Sequence, residues 1–123
     1  MDAKTLKKIR QKESGSKSIL SELPANFYED VQEALDYAFK SNDYDDFINI
    51  QIIFKNLCEI RLGKLLNFAV YRSTPKRMEY ADPVENILAE EQLLLNKFLE
   101  DIALFQDNLD VKLNGYFFQE VRR

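Results

Sequence analysis

The most constraining feature of the sequence is a long apolar stripe that contains two positive charges. Counting from Phe47 in alternate steps of three and four residues reaches mostly apolar side chains, but also Arg61 and Lys64. This spacing places side chains on one face of an α-helix. The stripe therefore predicts one long helix, from about Tyr44 to Ser73, whose buried face contains two cations.

Two buried cations need carboxylate partners, because an unpaired charge inside a protein destabilises the fold by several kcal/mol. The candidates are acidic residues of the neighbouring predicted helices, namely Glu90, Glu91, Glu33 and Glu29. Arginine can pair with a carboxylate through two parallel hydrogen bonds, whereas lysine can extend along apolar neighbours to the surface. We expect ion pairs within the chain, with ion pairs across a subunit interface as the alternative.

The rest of the sequence predicts a mainly α fold with one domain. Three glycines and three prolines in 123 residues are few for an all-β chain. Helices are expected at about 2–12, 26–40 and 83–107, and residues 1–108 would form a bundle around the long helix. In the last segment, 109–123, VKL and YFF flank Asn114 and Gly115. That pattern is typical of a β-hairpin turn and predicts a short hairpin-like tail, which could begin a β domain.

The composition argues against an enzyme. Histidine is absent, which removes the commonest general base and most zinc sites, and the single cysteine, Cys58, has no histidine to activate it. We therefore expect no catalytic residues, no metal and no cofactor. The longest apolar runs are well below the roughly 18 residues that a membrane span requires. We expect the protein to be cytoplasmic and associated with the nucleoid, or nuclear in a eukaryote.

Charge is separated along the chain rather than mixed. Residues 1–20 contain six basic and two acidic side chains, whereas residues 21–50 contain one basic and eight acidic side chains. Such poles favour a partner with complementary charge. The basic residues that could contact DNA phosphates or a partner protein are Lys4, Lys8 and Lys12 in the first helix, and Lys76 and Arg77 in a later loop. A simply solvated face is the expected alternative for both groups, and Leu6 and Ile9 are expected to dock on a sister subunit.

Three segments in order resemble the helical domain of the GINS replication complex. They are LPANFYEDV at 23–31, EIRLGKLLNFA at 59–69 and NILAEEQLLLNKFLEDI at 86–102. The sequence is most similar to archaeal subunits in which the helical domain comes first, and the resemblance covers about residues 20–108. The family pattern maps onto the Leu-Pro step before Phe27, onto Arg61 and Lys64, and onto the acidic pair Glu90 and Glu91. The sequence departs from the family at Ala89, where Thr or Pro is usual, and in stopping before the small β domain that follows.

The resemblance implies a scaffolding role in chromosomal DNA replication. It implies a tetramer of GINS subunits, of one kind or two, that bridges the MCM helicase and a RecJ-like protein, supports activation of the helicase and contacts primase or polymerase. Contact with DNA would be weak or indirect, and no membrane would be involved. The residues alone are also consistent with a second hypothesis. In it the chain is a stand-alone helical protein, either DNA-binding or regulatory, that acts through its basic first helix.

Overall fold

The computed structural model describes residues 1–73 and 83–118, and these residues form four α-helices. They are α1 (Ala3–Ser14), α2 (Phe27–Lys40), α3 (Tyr44–Arg72) and α4 (Ala89–Lys112). Across the described residues there is no β-strand. The expectation of a mainly α chain with a long helix in the middle is therefore confirmed. Residues 74–82, which include Lys76 and Arg77, lie outside the described part of the chain.

Short polar side chains set several of the helix ends. The Asp2 carboxylate accepts a hydrogen bond from the Thr5 backbone N–H at 2.8 Å, and Asp43 accepts one from Asp46 N–H at 3.1 Å. Each satisfies a backbone donor that has no partner within the helix. Just after the C-terminal end of α2, Asn42 adopts a left-handed conformation with φ of 56°. The chain therefore reverses at once, and α2 and α3 form a helical hairpin.

The long helix α3 is the centre of the fold, and each of the other helices packs on it. With 29 residues at about 1.5 Å each, it is about 43 Å long. Ring contacts show that α2 runs antiparallel to it: Phe27 lies 6.3 Å from Phe54, and Phe39 lies 5.7 Å from Phe47. Contacts at Arg61 and further along at Ser73 show that α4 runs in the same direction as α3.

Two hydrophobic clusters lie along α3 on either side of the predicted cations. The first contains Leu6, Ile50, Leu57 and buried residues of α2, and the second contains Leu65, Ala69, Leu95, Leu20 and Val84. Leu6 is fully buried, and Ile9 packs against the same cluster. The expectation that these two residues dock on a sister subunit was wrong, because α1 lies directly against α3 and completes the core of its own chain.

The predicted hairpin at the end of the chain was also wrong in its first half. Val111 and Lys112 belong to α4, and the helix ends in a tight reversal at Asn114 and Gly115, with φ of 55° and 83°. The Gly115 N–H donates to Asp110 O at 2.8 Å, and the Asn114 N–H donates to Val111 O at 3.2 Å. These two bonds define a Schellman helix ending. Asn and Gly tolerate positive φ in either setting, so the same dipeptide serves a hairpin turn and a helix stop.

The start of α4 also differs from the prediction, which placed it near Pro83. Residues 83–88 instead form a non-helical segment in which Val84 and Leu88 are buried and Asn86 adopts a φ of 63°. The Asn86 side chain donates a hydrogen bond to Leu20 O at 3.0 Å. This segment therefore packs against the α1–α2 connection before the helix begins at Ala89.

Candidate functional site

Arg61 lies between the two hydrophobic clusters and uses all five of its N–H groups. Its Nε and Nη2 donate to the two carboxylate oxygens of Glu91 at 2.7 and 2.6 Å. Its Nη1 donates to Glu13 Oε1 at 2.6 Å and to Ser21 O at 3.0 Å, and Nη2 also donates to Asn86 O at 3.1 Å. The guanidinium therefore forms a bidentate pair with one glutamate and links it to a second.

Lys64, one turn further along α3, completes the arrangement. Its Nζ donates to Glu13 Oε2 at 2.5 Å, to Glu13 O at 2.7 Å and to Ile19 O at 2.7 Å. An ammonium has three donors, and all three are used. Lys64 is 3% exposed, so it remains inside the protein rather than extending to the surface.

The two glutamates are oriented by backbone groups as well as by the cations. Glu13 Oε2 accepts from the Ser21 N–H at 3.0 Å, and Glu91 Oε1 accepts from the Leu88 N–H at 3.0 Å. The second bond caps α4, because a side chain in the first turn returns to the residue that precedes the helix. The N-cap of α4 is Leu88, whose apolar side chain accepts no hydrogen bond, so Glu91 supplies the side-chain hydrogen bond at this helix start.

We call these four residues, Glu13, Arg61, Lys64 and Glu91, the charge cluster. Their formal charges sum to zero, and each residue is at most 4% exposed. Burial raises the pKa of Glu13, but hydrogen bonds from Lys64, Ser21 and Arg61 outweigh it and hold the pKa below its usual range. Burial lowers the pKa of Arg61, but its bonds to Glu91 and Glu13 raise it above its ordinary value. Both shifts favour the charged forms.

The structure brings together some of the residues that the sequence singled out and not others. Arg61, Lys64 and Glu91 meet within one chain, whereas Glu90 faces solvent. Glu29 and Glu33 are also exposed on α2 and do not take part. The lysines of α1 named above, Lys4, Lys8 and Lys12, are all exposed.

Sequence reasoning missed Glu13, which lies just beyond the first helix predicted at about 2–12. The helix continues through this residue, and its carboxylate becomes fully buried. A signal for it was present, because Glu13 continues the α1 stripe of Leu6 and Ile9 in steps of three and four. In α1, as in α3, a charged residue on an otherwise apolar stripe indicates a buried ion pair.

The charge cluster has no unused group for chemistry. Among the described residues no buried side-chain polar atom lacks a hydrogen-bond partner, and no group of acidic or cysteine side chains has the arrangement of a metal site. Beside the cluster lies an open pocket of about 320 Å³, with walls that include Tyr28, Cys58 and Leu94. Burial raises the pKa of the Cys58 thiol, which makes it a poor nucleophile at neutral pH. The donors and acceptors of the charge cluster are therefore all engaged within the described part of the chain.

Comparisons with known protein families, with curated proteins and with solved structures find no match to this chain. No helix among the described residues is long and apolar enough to cross a membrane.

Proposed function

We propose that the chain is a non-enzymatic subunit of a GINS-like complex in chromosomal DNA replication. The observation that carries the proposal is the spacing of Arg61 and Lys64 on the long helix, together with an acidic start of the following helix at Glu91. Arg61 and Lys64 lie in the second of the three GINS-like segments, and Glu91 lies in the third. The charge cluster joins these two segments, and Phe27 of the first segment lies in one hydrophobic cluster with Leu88 of the third.

The proposed mechanism is scaffolding. The complex would contain several GINS subunits and would bridge the MCM helicase and a RecJ-like protein, with further contact to primase or polymerase. Acidic side chains of α2 and of the first turn of α3, including Glu33, Asp36 and Asp45, are exposed and would meet basic surfaces of a partner. No bond would be made or broken by this chain.

The test is capture of purified partners by the tagged chain, with the mass of each complex measured by light scattering. We expect capture of MCM and of the RecJ-like protein, and a stable tetramer when a sister subunit is added. Charge reversal on α2, with Glu33→Lys and Asp36→Lys, should weaken capture. Glu100→Lys on the exposed face of α4 is the matched control. Failure to capture either partner would contradict the proposal.

A second function, DNA binding by α1, is favoured by one observation. Lys4, Lys8 and Lys12 are exposed on one helix, and they form no ion pair with the described residues. Binding to phosphates would weaken steeply as salt rises, because counterions are released from the DNA. Replacing the three lysines with glutamine should then reduce both the affinity and its salt dependence in a fluorescence anisotropy titration. If the chain does not bind duplex DNA even at low salt, this second function is excluded.

A further inference from the structure

The central helix α3 carries a second stripe, which is exposed and lies on the side of the helix opposite its buried stripe. Its members, which we call the outer stripe, are Ile48, Ile52, Lys55, Glu59, Leu62 and Leu66. The four apolar members are 49%, 59%, 39% and 42% exposed, in that order. Isolated apolar side chains on a surface are ordinary, but two apolar pairs in register on one face of a helix mark an interaction surface.

The exposed face of α4 differs from the outer stripe in its polarity. Leu93 and Leu104 are exposed there, but Lys97, Glu100 and Asp101 lie between them, and Lys97 and Asp101 form an ion pair at 3.2 Å. The outer stripe has only two polar members, Lys55 and Glu59, and they form no ion pair with the described residues. It is therefore the surface of α3 that still lacks both apolar contacts and charge partners.

The spacing of the outer stripe is that of a two-stranded coiled coil. Successive members are separated by four, three, four, three and four residues, which places them alternately at the two core positions of a heptad. The two charges lie at the middle of the stripe, and apolar pairs lie on either side. This order is symmetric about Leu57 except that one charge is positive and the other negative.

We propose that the outer stripe binds a second copy of this chain. The two α3 helices would be antiparallel, and the two-fold axis would cross the outer stripe at the level of Leu57 along the helix. In that arrangement Lys55 of each copy meets Glu59 of the other, which gives two ion pairs. Ile52 meets Leu62, and Ile48 meets Leu66, so each layer combines the two kinds of heptad position. A two-fold interface requires such self-complementarity, since the same surface is used by both chains.

The charges also select this direction over the parallel one. In a parallel, in-register pair Lys55 would face Lys55 and Glu59 would face Glu59, and like charges in direct contact disfavour a complex. The pocket of about 320 Å³ described above borders Glu59 and Leu62. In the antiparallel pair Ile52 of the second copy approaches this side of α3 and covers the rim of the pocket.

The contact extends over about five helical turns, from Ile48 to Leu66. That is at the small end of specific interfaces, so we expect a weak dimer with a dissociation constant in the micromolar range. The inference does not depend on the proposed replication role, because it concerns the purified chain alone. The result of the MCM capture experiment and the result of the dimerisation experiment are therefore independent of each other.

The test is sedimentation equilibrium of the purified chain over a wide range of concentration. Wild type should change from monomer to dimer. Lys55→Glu and Glu59→Lys, each tested alone, should raise the dissociation constant at least tenfold, because each variant places two pairs of like charges in the interface. The double variant with the charges exchanged should restore the dimer, because its pairs are again opposite in sign.

Two controls separate this face from general effects. Leu93→Asp introduces a charge at an exposed apolar position of α4 and should leave the mass unchanged, whereas Ile52→Asp should give a monomer. Circular dichroism checks that both variants remain folded. The proposal is overturned if wild type is monomeric throughout, if the single charge variants dimerise like wild type, or if the exchanged variant stays monomeric. An Ile52→Asp variant that loses binding only to a different protein would show that the face has another occupant.

Discussion

Replacing Glu13 with glutamine tests the charge cluster most directly. The substitution keeps the size of the side chain but removes one negative charge from a buried group whose charges sum to zero. Arg61 would then keep Glu91 as its carboxylate partner, Lys64 would lose its carboxylate partner, and an amide NH₂ would face donors rather than acceptors. Breaking a buried ion pair by removing one partner costs about 3 to 5 kcal/mol.

That loss is large beside the stability of the whole chain. At roughly 0.05 to 0.15 kcal/mol per residue, 123 residues give roughly 6 to 18 kcal/mol. We therefore expect Glu13→Gln to lower the melting temperature by roughly 10 to 20 °C. The measurements are thermal unfolding and urea unfolding, both followed by circular dichroism at pH 7, with Glu90→Gln as the matched control. Glu90 is exposed, so its variant should stay within about 0.5 kcal/mol of wild type.

The effect should also depend on pH in a defined direction. The pKa of Glu13 is lower in the folded chain than its ordinary value, so its stabilising contribution is present above the unfolded pKa of about 4.3. It is lost as pH falls through the folded pKa. The difference between wild type and Glu13→Gln should therefore shrink as the pH is lowered below about 4. A difference below about 1 kcal/mol at pH 7, or one that does not change with pH, would refute the role assigned to Glu13.

Three further outcomes follow from the structure. Arg61→Lys should destabilise the chain by about 3 kcal/mol in urea unfolding, because three donors cannot replace five in a bidentate geometry; a variant as stable as wild type would contradict the contacts of Arg61. Leu6→Ala should cost about 2 to 5 kcal/mol in the same assay, whereas a cost near zero would mean that α1 is not part of the core. Asn114→Gly should preserve the end of α4, whereas Asn114→Ala should destabilise it by about 1 kcal/mol, because alanine disfavours positive φ. Hydrogen exchange of the last helical turn measures this difference, and equal exchange in the two variants would count against a left-handed residue at this position.

Much of the fold could be predicted from the sequence, because apolar periodicity is a local signal. The stripe along α3 gave its length to within a residue, and the polar residues around Asn42 gave the end of α2. Helix ends depended on turn chemistry, which is ambiguous. Asn114 and Gly115 indicate positive φ, but whether the chain then forms a second strand or stops a helix depends on the tertiary contacts around it.

The charge cluster was only half predictable, for the same reason. Two cations in an apolar stripe imply buried carboxylates, and of the four candidates Glu90, Glu91, Glu33 and Glu29 the structure brings only Glu91 to Arg61. Glu13 is 48 positions from Arg61, and no local pattern connects them. The direction of α1 along α3 decides that contact, and the direction follows from the packing of Leu6. Sequence reasoning identified which residues needed a partner, but the three-dimensional path of the chain determined which partner they found.

The charge cluster also differs from a buried ion pair that apolar residues could replace. Such replacements are often neutral or stabilising elsewhere, because desolvation offsets the attraction between the charges. Arg61 and Lys64 additionally bind four backbone carbonyls, which are those of Glu13, Ile19, Ser21 and Asn86. A variant with all four charged side chains replaced by leucine or methionine would leave those carbonyls without donors, at about 1 to 3 kcal/mol each.

We therefore expect the fully apolar variant to be less stable than wild type by at least about 4 kcal/mol in urea unfolding at pH 7. The segments at 19–21 and 86–88 should lose hydrogen-exchange protection first, because the cations are what attach them to α3. An apolar variant as stable as wild type, with these segments still protected, would show that core packing alone holds them. In that case the cations would be dispensable to the fold, and their presence in α3 would need an explanation in assembly.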